Sequence, residues 1–309
     1  MKTVFMGTPD FAVDVLDAMV KAGHEVGYVI TQPDKARDRG KKIQFTPVKE
    51  KAMEYGLEVL QPEKVRGNEE LLAQLEEYAP DIIVVVAYGQ ILPKSVLDLP
   101  RLGCVNVHAS LLPKLRGASP IQNAIVTGET VTGVTIMQMG EGLDTGDMLT
   151  KVEVEIGRMN GQQLHDALAK AGAQLLVDTL PKLDAGEITA VPQDDSQSTY
   201  AGLIRKQDGK IDFSKSPVEI ERLIRGFDPW PGAFCDYNGV VMKLWAACPT
   251  DKATDKENGT VLHAGDEGME IACGGQILRV TEIQVPGKKR VAVKDYLRGN
   301  AIEEGTVLR

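Results

Sequence analysis

Apolar residues recur along the first two-thirds of the chain in two alternating rhythms. Short apolar runs at residues 3–6, 26–31, 82–87, 102–108 and 131–139 have the length and β-branched content of strands. The run at 82–87 (IIVVVA) has no polar position, the mark of a strand covered on both faces in a parallel sheet. Between such runs the period lengthens. Phe11, Val15, Leu16, Met19 and Val20 share one helical face. Thr8 is the expected N-cap of that helix, Pro9 lies in its first turn, and Gly23 closes it. Residues 162–183 form a long amphipathic helix in the same reading. Alternating strands and helices predict an α/β fold with a mostly parallel sheet, right-handed crossovers and a site at the carboxyl ends of the strands.

The rhythm changes after Asp184. Residues 185–201, rich in Gly, Asp, Gln, Ser and Thr, read as a loose connection. Residues 217–227 predict one more helix, with Val218, Leu223, Ile224 and Phe227 on its apolar face. Short segments at 233–236, 240–246, 259–263, 269–272 and 276–284 alternate with turn residues, as in a small β-barrel or sandwich.

Composition narrows the class. The 309 residues are 43% hydrophobic and 26% charged, ordinary for a soluble globular chain of about two domains. No apolar run reaches the ~18 residues of a membrane span, and the first residues have no signal-peptide pattern. Four scattered cysteines without a Cys-x-x-Cys pair suit a reducing cytoplasm. The net charge of −9 is unevenly spread. Lys and Arg number 21 against 29 Asp and Glu up to residue 208, and 14 against 15 beyond it. An acidic whole is not the usual footprint of a nucleic-acid binder. Local basic clusters exist all the same, at Arg37, Arg39, Lys41 and Lys42, at Arg205 and Lys206, and at Lys288, Lys289 and Arg290.

Gly7-Thr8-Pro9 follows the first strand where a dinucleotide fold has its phosphate turn, but Pro9 stands where the second glycine is needed, and no P-loop occurs. Asn106-Val107-His108-Ala109-Ser110-Leu111-Leu112-Pro113 is more informative. Residues two apart in a strand share a face, so Asn106 and His108 project together at a strand's carboxyl end. An amide donor beside an imidazole can hold a carbonyl oxygen and the negative charge that grows on it under nucleophilic attack. The glycine-rich stretch 140–146 offers one carboxylate, Asp144, suited to orienting His108 or relaying a proton. Singly, each has a plainer reading: a strand-end histidine is commonly a structural hydrogen bonder, and an Asp among glycines is turn chemistry. His24, His108, His165 and His263 show no metal-ligand spacing, and there is no G-x-S-x-G elbow. Cys104 shares the face of Asn106, but a buried strand cysteine is usually inert.

In that order and context, Asn106, His108 and Asp144 resemble the catalytic trio of the folate-dependent formyltransferases, and within that family those acting on charged initiator tRNA. The resemblance runs nearly the whole chain. It takes in Phe5-Met6-Gly7-Thr8-Pro9-Asp10-Phe11-Ala12, Gln32-Pro33-Asp34 with Arg39-Gly40-Lys41-Lys42, Ser110-Leu111-Leu112-Pro113 with Arg116-Gly117, and Asp228-Pro229-Trp230-Pro231-Gly232. It implies a Rossmann-like catalytic domain at 1–188, a linker at 189–206 and an OB-like tRNA-binding domain at 207–309. It implies transfer of formyl from 10-formyltetrahydrofolate to the α-amino group of methionyl initiator tRNA, without a metal. Asn106, His108 and Asp144 would be catalytic, and Ser110, Leu111, Leu112 and Pro113 would line the folate pocket. Arg39, Lys41, Lys42, Arg205 and Lys206 would meet the tRNA. A monomer in the cytoplasm is expected. The alternatives are a sugar-amine formyltransferase, a formyltetrahydrofolate hydrolase module, and a non-catalytic RNA- or folate-binding protein.

Overall fold

The computed structural model describes residues 1–37 and 42–309, which form two compact units. The first comprises Met1–Gly117, Val131–Glu155 and His165–Ala201; the second comprises Ala118–Thr130, Ile156–Leu164 and Gly202–Arg309. Among the described residues no helix is long and apolar enough to cross a membrane.

The strands of the first unit are β1 (Lys2–Gly7), β2 (Glu25–Ile30), β3 (Lys35–Arg37), β4 (Lys42–Gln44), β5 (Glu58–Leu60), β6 (Ile82–Val86), β7 (Cys104–His108), β8 (Val131–Gln138) and β9 (Met148–Glu155). Seven of them make one sheet in the order β5-β2-β1-β6-β7-β8-β9, and β3 pairs with β4. The strands from β5 to β7 are parallel, whereas β8 runs antiparallel to both β7 and β9. This is the mostly parallel, Rossmann-like sheet expected from the pattern. All five residues of β6 are buried, as its unbroken apolar run requires.

Helices α1 (Asp10–Lys21), α2 (Pro47–Glu54), α3 (Glu69–Tyr78) and α4 (Lys94–Leu97) belong to this unit. On one side of the sheet Val4, Met6, Ile30, Ile83 and Val85 pack with Leu71 and Leu75 of α3 and Val96 of α4. Each such side chain contributes roughly 1.5–3 kcal/mol on burial. Helix α5 (Pro120–Thr127) lies in the second unit, and α6 (Gly161–Asp184) has all but its first residues in the first. At Gly172 of α6 a Cβ would lie 3.0 Å from Val107 and 3.2 Å from Val134, so the helix approaches β7 and β8 closely.

Thr8 does not cap α1. Pro9 holds the N-cap position, and no side chain caps the helix. The Thr8 hydroxyl instead donates to Tyr88 O (3.2 Å) and accepts from Gln32 N (3.4 Å), joining the loops that follow β1, β2 and β6. The same Thr-Pro pair does cap at Thr46-Pro47, where Thr46 accepts from Lys49 N at the start of α2. The dipeptide is identical; the Thr46 hydroxyl keeps a helix N–H beside its bond to Thr31, whereas both bonds of the Thr8 hydroxyl go to other loops.

The 185–201 stretch is not loose. Val191 exchanges both backbone bonds with Met148, and Arg116 N and Leu115 N donate to Thr199 O and Oγ1, each at 2.9 Å. Ala201 N completes the pairing by donating to Arg116 O at 2.7 Å. Polar composition marked a connection, but its polar groups find partners in the first unit.

The second unit holds α7 (Pro217–Gly226), the strands β10 (Ala233–Tyr237), β11 (Val240–Ala253), β12 (Val261–Gly265), β13 (Gly268–Cys273), β14 (Gln276–Gln284) and β15 (Val291–Ala292), and α8 (Val293–Tyr296). Ser216 and Glu219 close a capping box on α7. The strands form one antiparallel sheet in the order β10-β11-β14-β13-β12, with β15 on β14. Strand β11 runs to 14 residues, and register shifts between Leu244 and Ala253 bend it, the curvature an OB-like sheet needs. Met242, Leu244, Ile271, Leu278, Val280 and Ile283 fill its core with Ile220 and Ile224 of α7. In the Asp228-Pro229-Trp230-Pro231-Gly232 motif the buried Asp228 carboxylate takes Arg290 Nη1 at 2.9 Å and Asn160 Nδ2 at 3.0 Å.

Gly133 of β8 tests the packing of the first sheet. A Cβ there would lie 2.0 Å from Val152 O and 2.6 Å from Leu111. Gly133→Ala is expected to cost about 1–3 kcal/mol, read as a lowered urea midpoint with unchanged m. An unaltered midpoint would mean that β9 moves aside freely.

Candidate active site

Strand β7 places Asn106 and His108 at its carboxyl end, and β8 with the loop after it returns Asp144 to them. The three side chains converge. Asn106 Nδ2 donates to Asp144 Oδ1 at 3.4 Å, and His108 Nδ1 lies 3.7 Å from the same oxygen. His108 is 6% exposed and Asp144 13%, so the charge of Asp144 acts in a medium less polar than water.

The orientation of His108 has a different source from the one expected. At 3.7 Å the contact with Asp144 is an ion-pair distance, beyond a hydrogen bond. The ring is held through Nε2, 3.0 Å from Leu115 O. A carbonyl only accepts, so Nε2 carries a proton there and Nδ1 is the nitrogen turned toward Asn106 and Asp144. Asp144 is itself fixed by Gly117, whose N–H donates to Oδ2 at 2.8 Å. Leu115 (φ 57) and Gly117 (φ 110) both take left-handed conformations in this bend. At Gly117 a side chain would also lie 2.7 Å from Ala201 O, so glycine is required twice over.

The Ser110–Pro113 segment follows His108 directly. Ser110 and Leu112 are buried, and Leu111 and Pro113 are half-buried. Thr135 of β8, fully buried and paired in register with His108, donates to Ser110 O at 2.7 Å and accepts from Leu112 N at 3.1 Å. Lys151 of β9 donates to Leu112 O at 2.5 Å, and burial holds its ammonium below the ordinary lysine range. Ser110 Oγ donates to Lys114 O at 2.6 Å. The segment is thus a rigid edge presenting backbone and two apolar side chains.

Cys104 is buried, and burial pushes its thiol up to about 12, with Sγ toward Val96 O. A cavity of about 580 Å³ lined by Lys94, Arg101, Gly103, Gln138 and Glu141, among others, lies toward the amino-terminal end of β7. No residue of the trio lines it. Convergence of groups on Asp144, rather than that hollow, marks the candidate site.

Family comparison rests on the whole chain. The sequence model described as "Formyl transferase" matches residues 1–180, and that described as "Formyl transferase, C-terminal domain" matches residues 203–301. The chain belongs to the formyl transferase family. "Methionyl-tRNA formyltransferase" of Lachnospira eligens is 50% identical over 314 residues, covering 100% of this chain and 99% of that protein. Its counterpart in Clostridium novyi is 50% identical over 310 residues and is covered, like this chain, to 100%. Among solved structures, the N-formyltransferase from Helicobacter canadensis in complex with folinic acid and dTDP-3-aminofucose has a TM-score of 0.66 at 19% identity. It covers 91% of this chain and 98% of that one, a likeness of fold.

In this formyl transferase, Arg39 and Lys41 lie outside the described residues, and Lys42 opens β4. Arg205 and Lys206, exposed, begin a 3-10 turn in the second unit. Sequence reasoning missed Leu115, Thr135, Lys151 and Gln193, whose carboxamide donates to the backbone oxygen of Asp144. Only the glycine beside Arg116 hinted at the bend, because the rest work through backbone partners that no motif spells out.

Thr135→Val keeps the shape and removes both bonds to the 110–112 segment. Hydrogen exchange at the Leu112 amide is expected to quicken by about 10-fold or more, the loss of one buried bond worth ~1–3 kcal/mol. Unchanged protection would show that Lys151 alone holds the segment.

Proposed function

We propose that this formyl transferase moves the formyl group of 10-formyltetrahydrofolate to the α-amino group of methionine on initiator tRNA. The observation that carries the reading is full-length identity of about 50% to methionyl-tRNA formyltransferases, joined to an Asn106–His108–Asp144 cluster of the right chemistry. The sugar-amine reading has only a 19% identical fold behind it.

The donor carries its formyl group already activated, so the chain need supply neither a nucleophile nor a metal. The methionine nitrogen attacks the formyl carbon, a new C–N bond forms, and the bond from that carbon to the folate nitrogen breaks. The amine loses a proton and the departing nitrogen gains one. Asn106 Nδ2 is the donor for the formyl oxygen as it becomes negative, worth roughly 3–4 kcal/mol, and His108 Nδ1 can join it only once it has taken up a proton. A proton arriving at Nδ1 faces the Asp144 carboxylate 3.7 Å away, which suits that pair to receive the amine's proton and return it to the folate nitrogen. Holding both substrates in register supplies up to ~7–11 kcal/mol more in ideal cases.

The folate ring fits the Ser110–Pro113 edge. Ser110 and Leu112 face inward and are bonded, leaving Leu111, Pro113 and the backbone to meet a flat ring. Arg39, Lys41 and Lys42, with Arg205 and Lys206, are assigned to tRNA phosphates, which position without specifying sequence. The acidic total is no obstacle, because phosphate responds to local basic charge. The reading places the enzyme in the cytoplasm as a monomer.

Purified protein given 10-formyltetrahydrofolate is expected to formylate methionine-charged initiator tRNA rapidly and charged elongator tRNA poorly. Loss of formyl from the folate without a formylated tRNA would sink the reading in favour of a hydrolase. His108→Ala and Asp144→Ala are expected to abolish transfer while folate binding, followed by fluorescence titration, persists; full activity in either removes the mechanism. Arg39→Ala is expected to raise KM for tRNA and leave KM for folate alone, and an unchanged tRNA KM would remove that assignment.

A further inference from the structure

Gln193 commits both of its amide protons to one turn of chain. Its Nε2 donates to Asp144 O at 2.8 Å and to Gly146 O at 2.7 Å, so both amide protons reach backbone carbonyls of the loop that carries Asp144. Its Oε1 accepts from Arg116 Nε at 2.9 Å, and Arg116 is steadied by Asp195 at 2.7 Å. The turn so held is a disfavoured one. Asp144 is a non-glycine residue at φ 51, a conformation that persists only where its surroundings over-determine it. On its far side Gly146 is pinched against β8, where a Cβ would lie 1.8 Å from Gln138 O.

We infer that Gln193 is a positioning residue for the Asp144 carboxylate, acting through the loop backbone and anchored by Arg116. The inference rests on the reading of Asp144 as part of the transfer site. With the turn held, Oδ2 meets Gly117 N–H and Oδ1 faces Asn106 and His108. Without it, an ordinary right-handed conformation at residue 144 swings the carboxylate away from all three. The position demands a two-donor amide of this length. Glutamate keeps the shape and the Arg116 contact but sets oxygen against two carbonyl oxygens, and methionine fills the space with no donor at all.

The test uses the full-length protein with Gln193→Glu or Gln193→Met, each alone and combined with Asp144→Asn. Formyl transfer to charged initiator tRNA is measured as separate kcat and KM, with the thermal midpoint alongside. Each single variant is expected to lose about 100-fold in kcat, the usual effect of a misplacement near 1 Å, with KM for the tRNA held. No further loss is expected when Asp144→Asn is already present, since the two act on one carboxylate. Wild-type kcat in both variants, or the same loss with and without Asp144→Asn, overturns the inference. Failure of the underlying reading looks different: the wild-type protein transfers no formyl, or Asp144→Asn is fully active. A crystal structure of the Gln193→Met protein decides in either event. Release of Oδ2 from Gly117 supports the inference, and an unmoved Asp144 turn overturns it.

Discussion

The His108 ring is held through Nε2 by the carbonyl of Leu115, and two residues later Gly117 gives its N–H to Asp144. One three-residue bend therefore aims both His108 and Asp144, with an acceptor for the imidazole and a donor for the carboxylate. The bend cannot hold itself. Two of its residues sit at positive φ, and what keeps them there is the strand-like pairing of Leu115 and Arg116 with Thr199 and Ala201. The arrangement of the candidate site thus depends on backbone geometry.

The sheet beneath has its own part. Parallel strands up to β7 bring Asn106 and His108 to the edge where open α/β sheets keep their ligands. The reversal of direction at β8 then allows Thr135 to lie beside His108 and tie down the next residues, 110 to 112.

Much of this was legible in the sequence. The uninterrupted apolar run of β6 announced a doubly covered strand, and helical spacing located α1, α6 and α7 to within one or two residues. Strand alternation and a glycine loop drew attention to Asn106, His108 and Asp144, and the family resemblance joined them into one site. Thr8 misled because capping propensity is local, whereas the bonds that claim its hydroxyl come from Gln32 and Tyr88, far along the chain. The 185–201 stretch was opaque for a related reason. Gln193 and Thr199 look like any loop residues, since their value lies in what they touch 49 and 84 positions earlier. The extra length of β11 was hidden by bulges that break its alternation.

That pairing between the bend and the 193–201 stretch also sets an order of events. As the chain is made from its amino terminus, Asn106, His108 and Asp144 all exist well before Gln193 and Thr199 leave the ribosome. Until then the bonds from Thr199 and Ala201 to the 115–117 bend, and from Gln193 to the Asp144 turn, cannot form. The last segment of the first unit thus closes an arrangement that its earlier strands only begin.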